Sequence, residues 1–233
     1  MSRFLYINFN NVKYSRNGGE WTDWGYDNII ALADGETLAL SASGLSRDNT
    51  STQYYYHNFV TGEQGYFDIY GNLISLGGFD RTSLDFKFYS KIFYNTKIVH
   101  ASKLIMPSTN VKLADCCFKE MFQNCTSLID GPLELPATTL ATNCYQGMFD
   151  GCTNLINAPI IRGTNTPNGC MSNMFRNCSK IDRIEISHTY WTDGSMDNWL
   201  EGVAPTGTFI KPYNLAEHFG SARIPEGWTV INK

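Results

Sequence analysis

The stretch CFKEMFQNCTSL, beginning at Cys117, returns as CYQGMFDGCTNL from Cys144 and as CMSNMFRNCSKI from Cys170, so the chain carries an internal repeat with steps of 27 and 26 residues. The recurring positions are apolar. They are Cys117, Cys144 and Cys170; Met121, Met148 and Met174; Phe122, Phe149 and Phe175; Cys125, Cys152 and Cys178; and Leu128, Leu155 and Ile181. Offsets of 0, 4, 5, 8 and 11 fall along one side of an α-helix, which predicts a short helix with one apolar stripe in each unit. The segments that follow, LIDGPLELP, LINAPIIRG and IDRIEISH, read as short strands, and Thr142 or Asn143 as a cap for the next helix. One such unit cannot bury its stripe, but stacked units can, and a period of roughly 20 to 50 residues reads as a solenoid.

Ahead of the repeat, short alternating segments are separated by turn residues. FLYINF (4–9) and VKY (12–14) read as a hairpin; IIAL (29–32), TLALSA (37–42), YYYHNF (54–59) and YFDIYGNLISL (66–76) add further strands. This predicts a small antiparallel β-sandwich over 1–82. FKFYSKIFYNTKI (86–98) mimics the repeat with Ile92 and Phe93 in the Met-Phe place, giving a solenoid of about four units over 83–190. A C-terminal cap over 191–233 then holds a last helix near 194–202 and closing strands in GTFIKP and IPEGWTVIN. The expected fold class is α+β: a β-sandwich followed by a leucine-rich-repeat-type solenoid of helix-plus-strand units.

Composition narrows the function. The net charge is −4 and the Lys and Arg residues form no basic run, so nucleic acid is not an expected partner. The opening MSRFLYINFNN lacks the unbroken apolar stretch of an export signal, and no run nears the roughly 20 apolar residues of a membrane helix. An eight-residue separation on a helix is about 12 Å of rise, too far for a disulfide, so six of the seven cysteines read as buried thiols acting as small hydrophobes. Cys116 is expected to face away from the stripe, and Asp150, opposite Phe149, to tolerate alanine. The spacing lacks the close cysteine pairs of a zinc site, so no metal or cofactor is expected. The four histidines stand in no catalytic motif, and no enzyme activity is expected.

MFQNCTSL together with PLELPATTLATNCYQGMF resembles the BspA-type leucine-rich repeat, a cysteine-bearing variety found in surface proteins of gut bacteria and in their bacteriophages. The resemblance covers roughly 86–190, and the flanks YFDIYGNLISL, NTKIVHASKLIMP and NWLEGVAPTGTFIKP are similar to segments accompanying such repeats in phage-type versions. It implies an adhesin or host-contact protein. The lack of an export signal and the unpaired thiols favour a virion component, a head or tail fibre or decoration assembled in the host cytoplasm, the alternatives being a bacterial surface adhesin or a glycan-binding module.

Two sets of residues are candidates for ligand contact. Trp21, Trp24, Tyr54, Tyr55 and Tyr56 suit a flat platform for sugar stacking, or else fill the β core or line a subunit contact. Asp130, Asn157 and Arg183, with Glu134, Arg162 and Glu185, are expected to face outward on the repeat strands, the usual contact surface of a solenoid. A homo-oligomer, most simply a trimer joined through the β part, would raise the avidity of so small a surface, with other virion proteins and a host-surface glycan or protein as further partners.

Overall fold

The computed structural model describes residues 3–6, 12–23, 29–32, 36–42, 60–61, 66–74 and 82–233. Among them there is no α-helix, which corrects the α+β expectation. The described residues form thirteen short strands and runs of turns, the repeats making a β-solenoid of about four turns.

Each segment read as a helix is a chain of overlapping four-residue turns. In the first tier the N–H groups of Phe88, Ser90, Ile92, Tyr94 and Thr96 donate to the carbonyl three residues back. The alternate N–H groups, of Lys87, Tyr89, Lys91, Phe93 and Asn95, donate instead to Asp115, Cys117, Lys119, Met121 and Gln123 of the next tier. The same alternation runs through 116–125, 143–152 and 169–178. Every fourth residue takes positive φ: Asn143, Gly147 and Gly151 in the third tier, and Gly169, Asn173 and Asn177 in the fourth. With the i to i−3 bond, that places them at the third position of type II-like turns, where Gly and Asn are the residues that fit.

The difference from a helix has a plain cause. An α-helix spends its N–H groups on itself and keeps its neighbours about 8 to 10 Å away. The turn run gives half of its donors to the next tier, so tiers stack at close to strand spacing. The segment around 194–202 is likewise a turn run, with Gly194, Asn198 and Gly202 at positive φ, and Asn143 is a turn residue rather than a cap.

The opposite side of the solenoid is a parallel wall. Its strands are β7 (Tyr70–Asn72), β8 (Lys103–Ile105), β9 (Glu134–Leu135), β10 (Ile160–Ile161), β11 (Arg183–Glu185), β12 (Thr208–Lys211) and β13 (Thr229–Asn232). β7 pairs with β8, β9 with β10, and β11 with β12 and β13, all in parallel. Bridges His100–Asp130–Asn157 and Ile161–Ile186 tie the remaining rungs together. Side chains alternate across the wall: Leu104, Leu135, Ile161 and Ile184 point inward and are buried, while Lys103, Glu134 and Arg183 are exposed.

The pairing of Tyr70 with Lys103 and the bridge from Phe67 to Ile98 make 66–74 the first rung of the solenoid, ahead of the boundary expected at 83. Before it lie β1 (Arg3–Tyr6), β2 (Val12–Arg16), β3 (Thr22–Asp23), β4 (Ile29–Leu32), β5 (Leu38–Ala42) and β6 (Val60–Thr61). They form two antiparallel sheets, ordered β4-β1-β6 and β3-β2-β5. The expected hairpin of β1 with β2 is therefore not made: β1 pairs with β4 and β6. Tyr14, Leu38 and Leu40 from the second sheet pack against the solenoid core.

Inside, like sits on like. Phe93, Phe122, Phe149 and Phe175 form a stack with neighbouring centroids 5.2 to 5.4 Å apart, and Tyr89, Phe118 and Tyr145 form a second one. All fifteen ladder positions named from the sequence, from Cys117 to Ile181, are fully buried.

All seven cysteines are free and buried. Cys116, expected to face away from the stripe, is buried at 7% exposed but stands apart from the continuous apolar cluster. Three thiols do more than fill space: Cys125, Cys152 and Cys178 donate to the carbonyls of Phe93, Phe122 and Phe149 one tier back, at 2.9, 3.0 and 3.1 Å. Burial raises the Cys125 thiol to about 11 and pushes Cys144 and Cys152 well above their ordinary value, so little reactive thiolate forms. Thiol titration is expected to find few reactive groups in the native protein and seven after denaturation. Rapid modification of Cys125, Cys152 or Cys178 under native conditions would contradict this core.

Asp150 is not the neutral surface position its spacing suggests. It is 4% exposed, and its carboxylate accepts Nε of Arg176 at 3.0 Å, Nη2 of Arg176 at 2.7 Å and Nε2 of Gln123 at 2.9 Å. The three residues come from successive tiers, so the network laces the turn face together. Asp150→Ala is expected to cost about 1 to 3 kcal/mol by leaving Arg176 and Gln123 without their acceptor. A urea midpoint equal to that of the parent protein would refute it.

Candidate contact surface

The outer side of the wall begins with 66–70, where Tyr66, Asp68 and Tyr70 are exposed and Phe67 and Ile69 pack on the core. This is the alternation of an extended segment with one face buried. On the next rung Lys97 stands over the Tyr66 ring, 5.8 Å from its centroid, Lys103 is paired beside Tyr70, and Ile105 is paired beside Asn72. Ile129, Leu133, Ile156 and the ion pair of Arg162 Nε with Glu134 Oε2 at 3.0 Å continue the surface. Further on, Glu185 is held by Lys233 at 2.8 Å and lies 3.9 Å from Arg183.

The structure brings two of the sequence candidates together. Asp130 and Asn157 lie on adjacent rungs of one bridge ladder whose third member is His100. His100 Nδ1 is 2.5 Å from Asp130 Oδ2, while Asp130 Oδ1 accepts the N–H groups of Ala101 and Ser102 at 3.2 and 2.8 Å. The hydrogen bond to Asp130 raises the pKa of His100. Burial pushes the Asp130 carboxyl up, but hydrogen bonds from His100 and Ser102 outweigh it and hold it below the usual range. Arg183 sits on the same wall in β11, exposed. Trp21 is 51% exposed next to β3, away from the wall strands in the chain pairing. Trp24, Tyr54, Tyr55 and Tyr56 lie outside the described residues.

No motif in the sequence singles out Tyr66, Asp68, Tyr70, His100 or Leu133 as contact residues. The signal for the first three was present in YFDIY, whose odd positions in the pentad share one face, but that segment reads equally well as a strand of a sandwich. His100 acquires its meaning only from Asp130, thirty residues away, and the histidine itself carries no local motif.

Among the described residues no three His, Cys, Asp or Glu side chains are grouped so as to hold a metal ion, and no helix is long and apolar enough to cross a membrane. The wall offers exposed rings, aliphatic side chains and hydrogen-bonding groups on a rigid parallel sheet, which is the equipment of a binding surface. No family model, no curated protein and no solved structure matches the chain.

Proposed function

We infer that this chain is a non-enzymatic contact protein whose outer wall meets another surface, serving a bacteriophage particle as a head or tail fibre or decoration. The observation that carries the contact reading is the concentration of exposed apolar side chains on the wall and its edge. Tyr66, Tyr70, Ile105 and Leu133 are 57%, 63%, 59% and 72% exposed, and Ile129 and Ile156, joined to each other by a backbone hydrogen bond, are exposed as well, on tiers whose interior is otherwise sealed. The virion setting is supported by the resemblance of the repeats and by a core of reduced thiols, which suits folding in a reducing compartment. Coupling several copies, as in a trimer, would strengthen a contact this small.

Fluorescently labelled protein tests the reading on intact cells of a panel of gut bacterial strains. At least one strain is expected to retain it, and the double variant Ile105→Asp, Leu133→Asp to lose at least about tenfold in retention with an unchanged melting temperature. Asp197→Ala, on the turn face, should bind as the parent does. Retention by no strain, or undiminished retention of the double variant, would overturn it. Mass spectrometry of purified phage particles tests the setting separately.

A further inference from the structure

We propose that the first two rungs of the wall form a binding site for an uncharged polysaccharide, with Tyr66 and Tyr70 as its stacking platform. The inference rests on the reading of the wall as a contact surface and assigns its N-terminal end a ligand. The two rings leave the same face of one extended segment four residues apart, about 13 Å along the chain. Both are more than half exposed although the alternate residues are packed down on the core. The rigid phenol ring is an amphipathic contact, apolar on its face and hydrogen-bonding at its edge, and it costs little entropy to immobilise. Lys97 lies over the Tyr66 ring, 5.8 Å from its centroid, and the tyrosine is still 57% exposed.

Between and beside the rings stand groups that match sugar hydroxyls. The Asp68 carboxylate projects between the two tyrosines and accepts hydrogen bonds, while Lys103, paired beside Tyr70, donates them. His100 commits Nδ1 to Asp130, which fixes the ring, and its side chain is 46% exposed. Asp68 is close enough to His100 to add to the rise in its pKa, which places it within the same small area. Hydroxyl-rich ligands need both donors and acceptors, and both are present here. Lys97, His100 and Lys103 are opposed by Asp68 and Asp130, so the strip has little net field with which to select an anionic polymer. A protein ligand is better served by the aliphatic stretch around Ile105 and Leu133 than by the polar strip between the tyrosines.

Affinity gel electrophoresis of the full chain through dextran, laminarin and galactomannan, with alginate and hyaluronan as anionic comparisons, tests the site. At least one neutral polymer is expected to retard the protein, and Tyr66→Ala and Tyr70→Ala each to weaken retardation about tenfold or more without changing the melting temperature. Both positions are exposed, so the variants should fold. Retardation by no neutral polymer, retardation equal in the tyrosine variants, or retardation by the anionic polymers alone would each overturn the proposal. Cell retention that depends on Ile105 and Leu133 but survives Tyr66→Ala and Tyr70→Ala would reject the glycan site while leaving the contact function standing.

Discussion

Replacing Phe149 by alanine is expected to cost about 3 to 5 kcal/mol, the range for a large aromatic side chain removed from a sealed core. Phe149 is fully buried between Phe122 and Phe175, with centroids 5.2 and 5.4 Å away and planes within 6° of parallel. Its ring also lies against Gly131, where an added Cβ would meet Phe149 Cε1 at 3.1 Å, so the site is filled on the wall side as well. Removing the ring empties the centre of the column and deprives two other phenylalanines of a partner. Tiers held by backbone bonds on both sides cannot move together to close the gap. Phe149→Leu, which keeps most of the volume, should cost less than about 1.5 kcal/mol. Urea denaturation of the three proteins measures this, and equal midpoints for the parent and Phe149→Ala would mean that the column does not carry the core.

Acid should weaken the C-terminal part of the solenoid through His188. The residue is fully buried, neither ring nitrogen has a hydrogen-bond partner among the described residues, and its ring packs roughly perpendicular to that of Trp191 with centroids 5.3 Å apart. Desolvation lowers its pKa from 6.5 to about 4. The unfolded chain therefore takes up the proton first as pH falls, so the stability associated with neutral His188 is complete above about pH 6.5 and is lost progressively toward pH 4. The drop from 6.5 to about 4 corresponds to about 3 kcal/mol near pH 4, and about 2 kcal/mol should be gone at pH 5. His100 acts in the opposite sense: its raised pKa adds stability at low pH that fades as pH rises. Comparing the parent with His188→Leu cancels that contribution. The denaturant midpoint of the parent should fall more steeply from pH 7 to pH 4.5 than that of the variant. Parallel pH profiles would show that His188 is solvated in the native protein.

The order of the repeat, its buried positions and the stacking of its units were legible in the sequence, because a column of identical side chains requires identical residues at a fixed step. Cys117, Met121, Phe122, Cys125 and Leu128 and their counterparts are identified by that rule alone. The local conformation was misread because offsets of 4, 5 and 8 fit a helical period of 3.6 almost as well as the period of 4 that the turn run obeys. The discriminating residues were the others: Asn143, Gly147 and Gly151, poor choices for a helix and good ones for recurrent positive φ. Only the tertiary structure decided that half of each segment's N–H groups serve the next tier, since no single unit has a partner to offer them. The same holds for Asp150 with Arg176, His100 with Asp130, and the first rung at Tyr66 to Asn72. Each joins residues about 26 to 33 positions apart, and the contact exists only once the tiers have stacked.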